Sequence, residues 1–176
     1  MAGRSERAVE VMPTFAGVDH LSLTVTDLDV SERFYVDVLD FTPLVDFGYV
    51  RILLHRPTEF VLSLIRHDAA DGAPFSELHT GVDHIGLTAA DRDDLVAWEE
   101  RFRAAGVVFT PIRDMPFGSH LNFRDPDGIA LEFSVATEVY TACLQELRDR
   151  DVPRAEIRAR VEELLGIRLP AAPADA

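Results

Sequence analysis

The feature that most constrains this chain is a segment that occurs twice. Residues 17–27 read GVDHLSLTVTD, and residues 81–91 read GVDHIGLTAAD, with seven of the 11 positions identical at a spacing of 64 residues. Repetition at a fixed spacing is typical of two copies of one structural unit. The sequence therefore predicts a protein built from two similar modules.

Each copy also has the alternation of a half-buried strand. In the first copy Leu21 and Leu23 alternate with His20 and Ser22, and the second copy repeats this pattern around His84. Alternate residues of a strand point to opposite faces of a sheet. Each copy is thus predicted to carry one histidine on a face of small side chains, and two such strands brought together would place two imidazoles in one cavity.

The remainder of each module follows the same order of one helix and three strands. The predicted elements of the first module are a strand at 18–26, a helix at 29–39 that Asp27 or Asp29 caps, and strands at 41–47, 50–55 and 60–66. Those of the second are a strand at 82–89, a helix at 92–105, and strands at 107–112, 119–123 and 129–135. Two further helices are predicted at 137–148 and 153–165, either packed on the parent domain or forming a dimer contact.

This order predicts an α+β fold of two tandem βαβββ modules with C-terminal helices. The expected divisions are a flexible N-terminus at 1–14, modules at 15–68 and 81–136 joined by a linker at 69–80, a helical extension at 137–166 and a disordered tail at 167–176.

Composition excludes several classes of function. The net charge of −14 argues against nucleic acid and anionic membranes as partners. The single cysteine, Cys143, is expected to be a buried apolar residue of a helix, and it leaves no internal disulfide. No apolar run is long enough to span a bilayer and no signal core is evident near the N-terminus, so a cytoplasmic location is expected.

The two modules, each opening with Val-Asp-His, together with FRDPDGIALEF at 123–133, resemble the vicinal oxygen chelate superfamily. That superfamily includes glyoxalase I, extradiol dioxygenases, fosfomycin-resistance enzymes and bleomycin-resistance proteins. The resemblance covers about residues 15–136 and implies a cupped mixed β-sheet of the glyoxalase type. It also implies that His20, His84 and Glu132 bind a divalent metal ion.

The residue types agree with that implication. Two histidines and one carboxylate form a facial triad that leaves coordination positions open. Glu132 alternates with Ala130 and Ser134, so small neighbours leave room for a substrate. Fe²⁺ is the first expectation, and Mn²⁺, Zn²⁺ and Ni²⁺ accept the same ligands. The alternative is a chain that kept these residues without binding metal.

Other polar residues are predicted to face the same cup. His120 and Asn122 share strand parity and are the candidate catalytic residues, His120 for moving a proton because its unperturbed pKa lies near neutrality. Ser22, Ser63 and Asn122 are the candidates for binding substrate. For Ser22, the alternative is a small residue that only packs in the cup.

Comparison with family members narrows the reaction only partly. Ser63 lies where glyoxalase I has a second carboxylate that acts as ligand and base, which disfavours glyoxalase I. Asn122 lies where extradiol dioxygenases and fosfomycin-resistance enzymes have a tyrosine. The expected function is a metal-dependent enzyme acting on a small oxygen-bearing molecule, by dioxygenase, lyase or isomerase, or transferase chemistry.

The alternative function is a protein of the bleomycin-resistance type that sequesters a drug or metabolite without catalysis. A homodimer is expected in either case. The sequence leaves open whether His20 meets Glu132 within one chain or across two.

Overall fold

The computed structural model describes residues 15–170. The predicted flexible N-terminus at 1–14, and residues 171–176 of the predicted tail, lie outside the described residues. None of the helices within 15–170 is long and apolar enough to cross a membrane.

The first module forms a four-stranded sheet with the strand order β1-β4-β3-β2. Strand β1 runs parallel to β4, and the other neighbours are antiparallel. Its elements are β1 (His20–Thr24), helix α1 (Leu28–Arg33), which continues as a π-helical turn over Phe34–Val38, β2 (Thr42–Asp46), β3 (Val50–His55) and β4 (Phe60–Ile65).

The second module repeats this topology with the strand order β5-β8-β7-β6. Its elements are β5 (Ile85–Thr88), α2 (Arg92–Ala105), β6 (Arg113–Met115), β7 (Gly118–Arg124) and β8 (Ala130–Ala136), followed by α3 (Glu138–Asp149) and α4 (Arg154–Leu165). The predicted α+β fold of two βαβββ modules with C-terminal helices is confirmed.

Equivalent aspartates begin the helix of each module. The Asp27 side chain accepts hydrogen bonds from the backbone amides of Asp29 and Val30, and the Asp91 side chain accepts one from Asp94. The bond from Val30 lowers the pKa of the Asp27 carboxyl, since it stabilises the ionised form. The same capping chemistry is therefore repeated with the rest of the motif.

The strand predicted at 107–112 is wrong, because the regular pairing begins only at Arg113. Phe109 makes an isolated bridge with Phe123, and the ladder resumes with Arg113 opposite His120. Between these two pairs the segment before β6 has three residues, 110–112, whereas β7 has two, 121–122. Pro111 has no amide hydrogen for the ladder, and the amide of Ile112 donates instead to Glu99 Oε1 at 2.8 Å.

Aromatic rings fill the space between α2 and the second sheet. Phe102 and Phe123 are almost completely buried, with ring centroids 4.5 Å apart. Trp98 stacks on Phe133 with ring centroids 4.6 Å apart, so it packs on the core. This packing covers one face of β7 and β8 and leaves their opposite face for other contacts.

Polar contacts join the two modules. Asp127 Oδ1 accepts a hydrogen bond from Thr26 Oγ1 at 2.5 Å, and Asp125 Oδ2 accepts one from the Tyr35 hydroxyl at 3.1 Å. Arg101 of α2 donates to the carbonyl oxygens of Asp37 and Val38, both at 2.6 Å, at the end of the π-helical turn. A cation at a helix C-terminus is favourable there.

The C-terminal helices α3 and α4 have no fully buried residue. Glu146 of α3 pairs with Arg150 and with Arg160 of α4, and these hydrogen bonds lower the pKa of Glu146 to about 2. A cavity of about 400 Å³ lies between the helices and Phe117. Cys143 lines this cavity and is half-buried rather than buried, which corrects the sequence-based expectation.

Candidate metal and substrate site

The second sheet collects most of the predicted site residues on one face. Glu132 of β8 lies opposite Gly86 of β5 and Asn122 of β7, and His120 lies opposite Ser134. Residues opposite each other in a ladder share a face, as do residues two apart along a strand. Glu132, Asn122 and His120 therefore lie on the face away from the aromatic core, and the same alternation places His84 there.

His120 and Glu132 are in direct contact. Nδ1 of His120 lies 2.9 Å from Oε1 of Glu132, and both side chains are largely buried. When Glu132 is ionised, Nδ1 donates its proton to the carboxylate, and in a neutral imidazole the lone pair then lies on Nε2. That Nε2 is buried and has no hydrogen-bond partner among residues 15–170.

Both motif histidines are held by the aspartate that precedes them. His20 Nδ1 lies 2.8 Å from Asp19 Oδ2, and His84 Nδ1 lies 2.7 Å from Asp83 Oδ1. Metal-binding histidines commonly donate their second ring nitrogen to a carboxylate, which orients the ring and fixes the tautomer. The imidazoles are 54% and 47% exposed, and because Nδ1 contacts the aspartate, Nε2 is the ring nitrogen left for a ligand.

Sequence reasoning overlooked these two aspartates. The signal was present, because the Asp-His pair is identical in both copies of the repeat. A carboxylate directly before a candidate histidine ligand, in both copies, would have indicated that the aspartate orients the imidazole.

The described part of a single chain does not bring the three candidate ligands together. No group of three or more His, Cys, Asp or Glu residues within 15–170 is arranged to hold a metal ion. His20 lies on the first sheet, while Glu132 lies on the second and His84 directly precedes its strand β5. The donor types and their orienting carboxylates fit a divalent ion, but one chain alone contributes only part of the ligand set at either sheet.

The register also locates the position equivalent to Glu132 in the first module. Ser22 of β1 lies opposite Ser63 of β4, as Gly86 of β5 lies opposite Glu132 of β8. Ser63 is buried and carries no charge at this position. The first module therefore supplies a histidine but no carboxylate.

The His20 face of the first sheet is mostly aliphatic and only partly covered, with Ser22, Thr24 and Ser63 as its other polar side chains. Five aliphatic side chains on this face are half-buried within the described chain: Val50, Ile52, Leu54, Val61 and Ile65. The two sheets thus differ in chemistry, since one presents a histidine among aliphatic groups and the other a carboxylate among polar groups.

A cavity of about 290 Å³ opens beside His84 and Asn122. Thr110, Arg113 and Arg124 also line it. The Arg124 guanidinium donates to Glu77 Oε1 at 2.7 Å and to the carbonyl oxygen of Gly128 at 3.1 Å. The cavity is large enough for a small molecule.

The fold and the site together define a class of protein. Its members have tandem βαβββ modules and carry imidazole and carboxylate groups on the face of a sheet that is turned away from the helix. The chain belongs to the glyoxalase/bleomycin resistance protein/dioxygenase superfamily, whose family model matches residues 17–133. This confirms the resemblance seen in the sequence. Helices α3 and α4 lie beyond the matched residues.

Solved structures agree with this assignment. A glyoxylase/bleomycin resistance protein/dioxygenase domain from Frankia sp. EAN1pec is 38% identical, with a TM-score of 0.66, over 71% of this chain and 95% of that chain. The fosfomycin resistance protein FosX from Listeria monocytogenes, in complex with Mn(II) and a dihydroxypropylphosphonic acid, is 19% identical, with a TM-score of 0.58, over 72% and 95%.

FosX from Mesorhizobium loti is similar at 19% identity and a TM-score of 0.57, over 73% of this chain and 99% of that chain. At this identity the two FosX proteins show a shared fold. Among curated proteins, none matches this sequence.

Proposed function

We propose that this protein is a divalent-metal-dependent enzyme that acts on a small oxygen-bearing molecule. The ligands are His84 and Glu132 of one copy and His20 of a second copy. The observation that carries the proposal is the repeated Asp-His pair, in which Asp19 and Asp83 each hold Nδ1 of an imidazole that is about half exposed. Nothing in an ordinary surface histidine requires this arrangement twice at equivalent positions.

A second copy of the chain accounts for two further observations. His20 is separated from the other candidate ligands within one chain, and the half-buried aliphatic face around it lacks a complete cover among residues 15–170. Placing this face over the Glu132 face of another copy supplies the missing ligand and buries aliphatic surface, which favours association. The protein is accordingly proposed to work as a homodimer.

The bound ion would act as a Lewis acid on substrate oxygens or as the place where dioxygen meets substrate. Around it, His120 holds Oε1 of Glu132 in place, so the other carboxylate oxygen is left for the ion. His120 Nε2 is the atom proposed to accept or return a proton. The Asn122 amide, opposite Glu132, orients a substrate oxygen, and Ser22 and Ser63 provide small polar contacts beside His20.

Fe²⁺ remains the first candidate ion, since the two-histidine, one-carboxylate set with open positions suits ferrous chemistry. The FosX structure from Listeria monocytogenes contains Mn(II), which supports a divalent ion in a protein of this fold and makes Mn²⁺ the second candidate. Zn²⁺ and Ni²⁺ accept the same ligands. The reaction is proposed to belong to the dioxygenase, the lyase or isomerase, or the transferase type.

Metal analysis tests the proposal directly. Protein purified without chelator is expected to hold about one divalent ion per chain, and His84→Ala to hold almost none. Asp83→Ala is expected to weaken metal affinity by about 10–100-fold, because the imidazole loses its orienting partner. Asp93→Ala, which removes an exposed aspartate of α2, is the matched control and is expected to keep the affinity of the original chain.

Wild-type protein that binds no divalent ion, but binds a cationic aromatic compound tightly, would instead support the sequestering function. If the metal is present, oxygen consumption with iron and candidate diols distinguishes dioxygenase chemistry from the other two types.

A further inference from the structure

We propose that Arg113 binds an anionic oxygen group of the substrate, so that the substrate carries a carboxylate or a similar oxyanion in addition to its metal-binding oxygens. This inference rests on the proposed function, because it concerns the substrate of the same site.

The irregularity before β6 determines which way Arg113 faces. Phe109 lies opposite Phe123, whose ring is in the aromatic core. In a regular strand Arg113, four residues later, would share that core face. The extra residue between the two pairs places Arg113 opposite His120 instead, and therefore on the face that carries Glu132. A bulge that redirects a side chain in this way is a common device beside functional sites.

The cavity beside His84 confirms this direction. Arg113 lines it together with His84 and Asn122, so it borders the same space as a candidate metal ligand. Asp114, the next residue, points to the other face and is bound by Arg92 through two hydrogen bonds of 2.9 Å. Arg113 thus faces the cavity, whereas Asp114 binds Arg92 on the opposite face of the sheet.

The other charged groups of the cavity already have partners. Glu77 binds Arg124, whose hydrogen bond lowers the pKa of the Glu77 carboxyl, and Asp83 binds His84. Arg113 is exposed and has no carboxylate within salt-bridge distance in the part of the chain that the structure describes. Its donors are free for a ligand, and a guanidinium suits bidentate binding of a carboxylate or phosphonate.

The charge of the whole protein makes this local cation more significant. A net charge of −14 repels anions at long range, so an anionic substrate needs specific positive groups at the site. An uncommitted arginine beside the candidate metal ligand supplies one.

The test uses two diols of similar size, 3,4-dihydroxyphenylacetate and 4-ethylcatechol, of which only the first has a carboxylate. Binding to the Mn²⁺-loaded protein is measured by calorimetry, and to the metal-free protein by NMR titration. The acid is expected to bind at least about tenfold more tightly than the neutral diol. Arg113→Gln is expected to abolish this preference without weakening the neutral diol by more than about twofold, and Arg154→Gln, on exposed α4, is the control.

Equal binding of the two diols by the original chain, or a preference that survives in Arg113→Gln, would overturn the assignment. Failure of the metal site gives a different result: no Mn²⁺ binds, while the titration of metal-free protein still decides the role of Arg113.

Discussion

At the scale of single residues, aspartate side chains have different roles in this protein because their surroundings differ. Asp19 and Asp83 are exposed and hold imidazoles, whereas Asp125 is buried at the junction of the modules. Asp125 accepts hydrogen bonds from the amides of Asp127 and Ile129 and from the Tyr35 hydroxyl. Burial nevertheless dominates, and it raises the pKa of Asp125 to about 6 and that of Tyr35 well above its usual value.

The raised pKa of Asp125 predicts a pH-dependent loss of stability. The unfolded chain releases this proton near pH 3.8 and the folded chain near pH 6, so the folded state binds more protons between these values. The protonated Asp125 carboxyl therefore stabilises the folded state fully below pH 3.8, and about 3 kcal/mol of this stabilisation is lost as the pH rises to 6. Asp125→Asn does not titrate and keeps both an acceptor and a donor. We therefore expect the free energy of unfolding of Asp125→Asn, minus that of the original chain, to increase between pH 4 and 7.5. Urea unfolding at several pH values measures this difference.

Asp93→Asn, at an exposed site, is the control and should differ from the original chain by a nearly constant amount. A stability difference for Asp125→Asn that stays constant over this range would refute the buried, proton-binding carboxylate.

At the scale of elements, the sequence predicted those parts of the fold that local chemistry determines. The repeated strands and the capping aspartates lie where the pattern indicated. Long-range contacts determined the remainder. The helix predicted at 29–39 changes to a π-helical turn after Arg33, where Tyr35 contacts Asp125 and Arg101 binds the last carbonyls.

The strand predicted at 107–112 fails for the same reason. Its apolar alternation is real, but Pro111 interrupts the ladder and Glu99 of α2 binds the amide of Ile112. The local sequence does not predict that contact, because Glu99 lies on α2 and Ile112 lies in the segment before β6.

Because β7 and β8 pair closely, we expect a side chain at Gly118 to destabilise the protein. A Cβ at this position would lie 2.5 Å from the carbonyl oxygen of Val135, which is a backbone atom and cannot rotate away. Gly118→Ala is expected to lower the free energy of unfolding by about 1–3 kcal/mol, since the strands must separate locally. Chemical denaturation measures this change.

Gly86→Ala is the matched control, because a Cβ on Gly86 of β5 meets no atom within 4 Å. Its stability is expected to equal or slightly exceed that of the original chain. Equal effects of the two substitutions would show that the β7–β8 spacing is not as tight as described.

At the scale of the whole molecule, the candidate ligands could be selected from sequence but their assembly could not. Alternation predicted that His84, His120, Asn122 and Glu132 share a face, and the register agrees. Whether His20 reaches them depends on how sheets of different modules meet, and residue spacing carries no information about that. The incomplete ligand set in one chain and the partly covered first sheet both favour a site shared between copies.

Mixed dimers of two defective variants test this central claim most directly. His20→Ala and His84→Ala, carrying different affinity tags, are produced together, and the mixed dimer is purified through both tags. If each site takes His20 from one copy and His84 with Glu132 from the other, the mixed dimer has one intact site and one site lacking both histidines.

The measurement is the metal content of the mixed dimer beside that of each variant alone. The shared site predicts about one tightly bound ion per mixed dimer and almost none in either parent. A mixed dimer as poor in metal as its parents, or a His20→Ala variant that keeps its full complement of metal, would contradict the account.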